Sequence, residues 1–141
     1  MTRFRFWSKL LFGVAAATNG AEAMAKSTKK FRLSAGQIRP LAEGYGGCIA
    51  TDQITVQGRT VGYMYREEPR RDHDSGWCFT AGDESEGYMN TAENLEIYDI
   101  NTIANYDPEI IPFLDAPPGS AFARNPKTGH FEEVAFEPTE E

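Results

Sequence analysis

Residues 48–79, CIATDQITVQGRTVGYMYREEPRRDHDSGWCF, contain most of the sequence patterns that predict β-strands. The first four of them, 48–51, predict a short buried strand. Apolar residues then alternate with polar ones on both sides of a turn at 57–60, which predicts a β-hairpin over residues 54–65. A charged connection follows, and the apolar run 76–79 predicts a further strand.

Short helices are predicted around these strands. Ser34, with a Gln three positions later, predicts a brief helix before the first strand. Apolar residues at approximately helical spacing predict a helix within 95–106, with Asp99 or Asn101 able to cap it. Asp107 then begins a helix of about two turns, because a Pro and an acid follow it in the first turn.

The end of the body is predicted to be β-structure. Residues 120–124 and 130–136 indicate two closing strands, joined by the five-residue loop 125–129. Strands, then helices, then strands connected by hairpins favour an α+β fold. We therefore expect a mainly antiparallel sheet with short helices packed on one face.

Charge divides the chain into unequal parts. The formal net charge of -7 combines a leader, residues 1–30, with six basic side chains and one acid, and a remainder with eight basic and twenty acidic ones. These parts carry +5 and -12. The chain has 141 residues, a length that accommodates one domain. We place this domain at residues 31–136, followed by an acidic tail at 137–141. The body repels phosphate backbones and attracts basic partners, so nucleic-acid binding is not expected.

The leader has three open interpretations. Its basic start, short apolar run and small residues around Ala23 are typical of a secretory signal peptide. It is also compatible with a disordered or surface-lying amphipathic extension. Alternatively, translation begins at Met24, which would make the domain cytoplasmic. The apolar run of about nine residues is too short for a stable membrane span.

The chemistry-bearing residues give no catalytic motif. Carboxylates accumulate at five positions in one region: Asp72, Asp74, Asp83, Glu84 and Glu86. They suggest either a solvated acidic loop or, alternatively, the acid/base pair of a hydrolase or metal-dependent enzyme. The spacing of His and Cys residues predicts no metal site, and no cofactor is expected.

Trp77 and the two cysteines each allow two interpretations. Trp77 is either a core anchor or an aromatic contact for a partner. Cys48 and Cys78 are either small buried residues in strands or, in an exported protein, one disulfide. A partner surface would combine Trp77 with acidic side chains, and we predict it at Asp74, Trp77, Asp83, Glu84 and Glu86.

Several segments together resemble a known family. They are residues 46–52, 61–69, 74–77 with 82–84, 98–108 and 115–122. In this order they are similar to the bacterial immunity-protein-33-like family over about residues 31–136. The resemblance implies an α+β domain without established catalytic residues; some relatives are similar to antidotes encoded beside toxins, and most have no assigned role. It therefore implies a non-enzymatic, immunity-like or accessory binding domain of unknown molecular role. The charge of -12 adds the expectation that an acidic surface engages a basic protein such as a toxin.

Overall fold

Six strands form one sheet within residues 29–136, which are the residues that the computed structural model describes. The strands are β1 (Gly47–Thr51), β2 (Tyr63–Arg66), β3 (Asp74–Thr80), β4 (Leu95–Asp99), β5 (Ala121–Arg124) and β6 (Phe131–Val134). Their order across the sheet is β4-β1-β3-β2-β5-β6. The β1 and β3 strands are parallel, and the other neighbouring pairs are antiparallel. The predicted α+β fold is confirmed. Most of the predicted leader, and the tail 137–141, lie outside the described residues.

Short helical segments connect the strands. They are the helices α1 (Asp52–Thr55), α2 (Glu86–Met89) and α3 (Ile100–Tyr106), and the 3-10 segments Ala35–Gln37, Ala92–Asn94 and Pro108–Phe113. Two predicted caps are confirmed: Asp99 accepts a hydrogen bond from the Asn101 N–H at the start of α3, and Asp107 accepts one from the Glu109 N–H. Ser34 also begins a helical segment, but this is a single 3-10 turn.

Apolar side chains pack on both faces of the sheet. The larger cluster joins Trp77 and Phe79 of β3 to Ile54 of α1, Ile103 of α3 and Ile110 of the segment that follows. Each of these side chains is at most 1% exposed, and burying one contributes roughly 1.5–3 kcal/mol. Three of the six helical segments, α1, α3 and Pro108–Phe113, therefore pack on this face.

The second face carries a smaller cluster. Its buried members are Ile49, Tyr65, Cys78, Met89, Leu95 and Ala121. Met89 belongs to α2, so this one helix packs on the face opposite to the larger cluster. Cys48 belongs to the larger cluster and Cys78 to the smaller one. Both thiols are free, and because their side chains lie on opposite faces of adjacent strands, this fold does not place them for a disulfide.

The predicted hairpin over residues 54–65 is wrong in its first half. Ile54 belongs to α1, and Gly58, with φ of 80°, closes that helix by donating to the Ile54 carbonyl at 3.0 Å. The turn at 57–60 therefore ends a helix instead of joining two strands. Two apolar residues in alternation, Ile54 and Val56, were too few to distinguish a strand from one helical turn.

The predicted helix within residues 95–106 is correct only from Ile100 onward. The preceding residues form β4, in which Leu95 is buried and Ile97 is 40% exposed. Leu95, Ile97 and Ile100 combine a strand spacing of two with a helical spacing of three, and together they imitate one helical pattern. Asp99 marks the boundary, because it ends the strand and caps the helix.

Candidate partner-binding surface

Acidic side chains gather where β1 and β3 end and β4 begins. We call this region the acidic end and define it by Asp52, Asp83, Glu84, Glu86 and Glu96. Strand pairing brings them together, because Thr51 at the end of β1 is opposite Leu95 at the start of β4. Three of them, Asp83, Glu84 and Glu86, were predicted to be partner-binding residues.

Glu84 is held in a fixed position by three donors. Its carboxylate accepts hydrogen bonds from the Thr51 hydroxyl at 2.7 Å and from the backbone N–H groups of Ala81 at 2.8 Å and Gly82 at 3.0 Å. The Thr51 bond ties the loop after β3 to the end of β1. The carboxylate therefore has a defined direction at the acidic end.

Asp83 is more exposed and pairs with a single arginine. Both of its oxygens accept from the Arg59 guanidinium, at 2.7 and 2.9 Å. This hydrogen bonding lowers the pKa of Asp83 and raises that of Arg59. Because both side chains face water, the pair contributes little to stability, and Asp83 remains accessible.

A lysine lies between Asp52 of α1 and Glu96 of β4. Lys29 contacts Asp52 at 2.9 Å and Glu96 at 2.7 Å. Burial by itself would lower the pKa of Lys29, but the hydrogen bonds to Glu96 and Asp52 raise it. Burial raises the pKa of Asp52, and Lys29 counteracts it. With Lys29 and Arg59 included, the acidic end has five carboxylates and two cations, a net charge of -3 when all are ionised.

Asp74, the fourth predicted acid, lies at the opposite end of β3. Its carboxylate accepts from the Arg70 N–H and the Gly76 N–H, both at 2.9 Å, so it organises the loop that enters the strand. The length of β3 separates Asp74 from the acidic end by about 15–20 Å. Asp72 and Asp74 therefore do not converge with Asp83, Glu84 and Glu86.

Trp77 lies in the core, which agrees with the first of its two interpretations, a core anchor. Its side chain is 1% exposed, stacks on Phe79 with ring centroids 6.0 Å apart, and donates from Nε1 to the Leu114 carbonyl at 3.2 Å. A partner cannot contact an indole that is covered in this way. Trp77 therefore packs β3 against the core and contributes nothing to the exposed surface.

A groove lies beside β4, at the end of the sheet away from the acidic end. Its volume is about 490 Å³, and it is lined by Gly44, Gly46, Gly47, His73, Ile97, Tyr98 and Asp99. The His73 carbonyl accepts from the Gly47 N–H at 2.6 Å, and His73 itself has φ of 70°. Gly46 must be glycine for this approach, since an added Cβ would lie 2.7 Å from the same carbonyl oxygen.

Two further properties of residues 29–136 concern ligands and membranes. These residues contain no group of three or more His, Cys, Asp and Glu side chains placed to hold a metal ion. Within the same range, no helix is long and apolar enough to cross a bilayer.

Fold and surface together define a class: a small α+β domain in which acidic side chains outnumber basic ones within residues 29–136. A model of the Immunity protein Imm33 domain matches residues 48–135. This match spans more than half of the chain, and the chain belongs to that family, as its resemblance predicted. No curated protein and no solved structure shows a significant match.

Sequence reasoning missed part of the surface. It did not include Asp52 or Glu96 in the acidic end, and it did not find the groove. Glu96 fell within the residues predicted to be helical, so its strand neighbours were not considered. One signal was available: the adjacent Gly46 and Gly47 indicate a close backbone approach next to a strand.

Proposed function

We propose that this chain is a non-enzymatic immunity protein that binds a basic toxin protein through its acidic end. Membership of the Imm33 family supports an immunity-type role. The observation that carries the proposed surface is the excess of carboxylates at the acidic end, where one of them, Glu84, is held by three hydrogen bonds. A positioned acidic surface accelerates association with a basic partner and selects against acidic ones.

The decisive experiment first identifies, among the products of the genes that flank this one, a candidate toxin domain, and uses that domain as the partner. Its affinity for the wild-type chain is measured by calorimetry at about 50 and 500 mM salt, and its toxicity is measured with and without co-expression of the chain. We expect binding that weakens with salt, because screening reduces the attraction between exposed charges. A toxin that is neither bound nor neutralised would contradict the proposal.

Charge reversals at two distant sites test the location of the surface. Glu86→Lys changes the acidic end, and Glu133→Lys makes the same change of charge on β6 at the far edge of the sheet. Both residues are exposed. We expect Glu86→Lys to weaken binding by about 5- to 10-fold, mainly through slower association, and Glu133→Lys to have an effect below about 2-fold. Equal effects would indicate general charge attraction without a defined surface.

We also propose that the protein acts in the cytoplasm, with translation beginning at Met24. Export after cleavage near Ala23 is the alternative. N-terminal sequencing of the chain from its native cells distinguishes them, because cleavage after Ala23 would contradict the proposed location.

A further inference from the structure

The β4 strand is one of the two edges of the sheet, and its pairing leaves one face of its backbone unused. Within residues 29–136, β4 pairs with β1 alone. The Ile100 N–H donates to the Gly46 carbonyl at 2.9 Å. Bonded and non-bonded residue pairs alternate in an antiparallel ladder. It follows that Glu96 and Tyr98 bond to β1, while the N–H and C=O of Ile97 point away from the sheet.

Ile97 also presents an apolar side chain at this edge. It is 40% exposed, although it lies opposite the fully buried Ile49 of β1. The same side chain lines the groove of about 490 Å³, with the glycines 44, 46 and 47 as part of the lining. Outward backbone donors and acceptors, an exposed apolar residue and an adjacent groove are the features that an added strand uses for binding.

The charge at this edge defines the residues that an added strand would carry. Asp99 is exposed, lines the groove, and lies two residues from Ile97, hence on the same face of β4. A strand pairing with β4 would place one residue opposite Ile97 and another, two positions away, opposite Asp99. An apolar residue suits the first position and Lys or Arg the second.

We propose that an extended segment of the toxin, carrying an apolar and a basic residue two positions apart, adds to the sheet as a seventh strand along β4. This inference rests on the proposed function, since it names how the same partner is held. The start of β4 lies at the acidic end, so the added strand would continue the surface described above. The acidic end would steer the toxin, and the edge would provide directional hydrogen bonds.

Proline substitution at the outward N–H tests this geometry directly. Ile97→Pro removes the outward donor and the side chain, while an edge strand tolerates proline at such a position. Ile97→Ala removes the side chain alone. The matched control is Glu133→Pro on β6, because the bond from the Asn125 N–H to the His130 carbonyl places Glu133 in the corresponding outward position. Thermal unfolding checks that each variant folds.

The probe is the same candidate toxin domain that tests the proposed function. We expect its affinity to fall about 30-fold or more with Ile97→Pro, about 5-fold with Ile97→Ala and less than 2-fold with Glu133→Pro. Hydrogen exchange of the wild-type chain gives a second readout that does not depend on the folding of a variant. The Ile97 amide should exchange quickly in the free chain and at least about 100-fold more slowly in the complex.

The outcomes separate this inference from the proposed function. If the toxin binds the wild-type chain and a folded Ile97→Pro variant equally, the added strand is overturned while the immunity role stands. A loss with Glu133→Pro alone would place the partner on the other edge and also overturn it. Slow exchange at Ile97 in the free chain, from self-association or from the chain itself, would show that the edge is already occupied and would overturn the added strand. If the toxin does not bind at all, both proposals fail.

Discussion

The two edges of the sheet are built from strands of similar length but differ in how they meet water. On β6, the peptide groups of Phe131 and of the charged Glu133 point outward, and Glu133 lies between the exposed acid Glu132 and the exposed apolar Val134. On β4, the corresponding residue is the apolar Ile97, beside a groove with a glycine-rich lining. Adjacent exposed charges on an edge strand, such as Glu132 and Glu133, oppose pairing with a second strand, whereas an exposed apolar residue such as Ile97 favours it.

The edges also differ in how they are anchored. Arg124 holds the β6 side by contacting Asp107 at 2.6 Å and Glu109, and Lys29 bridges Asp52 and Glu96 on the β4 side. The carboxylate of Asp107 is almost fully buried, while both partners of Lys29 are partly exposed. One edge is therefore fixed by a buried charge pair, and the other by a lysine whose two acidic partners are partly exposed.

Removing the two bridging cations gives the largest expected difference between the edges. Arg124→Ala leaves Asp107 buried without a cation, with the Val61 and Glu109 N–H groups as the remaining donors. We expect a loss of about 3–5 kcal/mol in the free energy of unfolding. Lys29→Ala should cost only about 1 kcal/mol, because its partners reach water. Urea denaturation measures both. Equal losses would show that the two edges are anchored alike.

Two glycines provide a second comparison. Gly46, beside β4, has φ of 98° and no room for a Cβ, while Gly129, in the loop before β6, has φ of 79° and nothing within 4 Å. Gly46→Ala should lower the free energy of unfolding by about 2–4 kcal/mol, from backbone strain together with a clash. Gly129→Ala carries the strain alone, so we expect about 1 kcal/mol. A cost for Gly129→Ala as large as that for Gly46→Ala would contradict the assigned role of the His73 contact.

One buried carboxyl lies between the two edges, next to an interior strand of the sheet. Glu67 follows β2, and its Oε1 is buried without a hydrogen-bond partner within the described residues. Burial raises its pKa from 4.5 to about 7, with Asp74 adding to the shift and Arg70 opposing it. The folded state therefore binds the proton more tightly than the unfolded chain, so this group's contribution to stability falls as the pH rises from about 4.5 to 7.

Glu67→Gln removes this dependence. Above pH 7 the variant should be more stable than the wild type by about 1–2 kcal/mol, allowing for the partly exposed carboxyl, and the difference should disappear below about pH 4.5. Thermal unfolding at several pH values measures it, with the exposed neighbour Glu68→Gln as the control. A difference that does not change with pH would exclude titration of Glu67 as its cause.

Features that depend on residues close together in the chain were predictable from the sequence. The strands at 48–51 and 76–79, the closing hairpin, and the caps Asp99 and Asp107 were predictable, because a periodic pattern, a turn or a capping side chain acts over a few positions. So was the clustering of Asp83, Glu84 and Glu86, which are close in the chain. Local patterns failed at 54–56 and 95–99, where a helical turn and a strand share the same apolar residues.

Contacts between residues far apart in the chain became apparent only from the tertiary structure. The parallel pairing of β1 with β3 brought Asp52 close to the end of β3 and left Asp74 at the other end. The antiparallel pairing of β4 with β1 added Glu96 to the acidic end. The packing of α3 and the following segment on β3 buried Trp77. The position of β4 at the edge exposed Ile97 and turned its peptide groups outward. Strand order and register arise from contacts between residues far apart in the chain, and a local pattern carries little information about them.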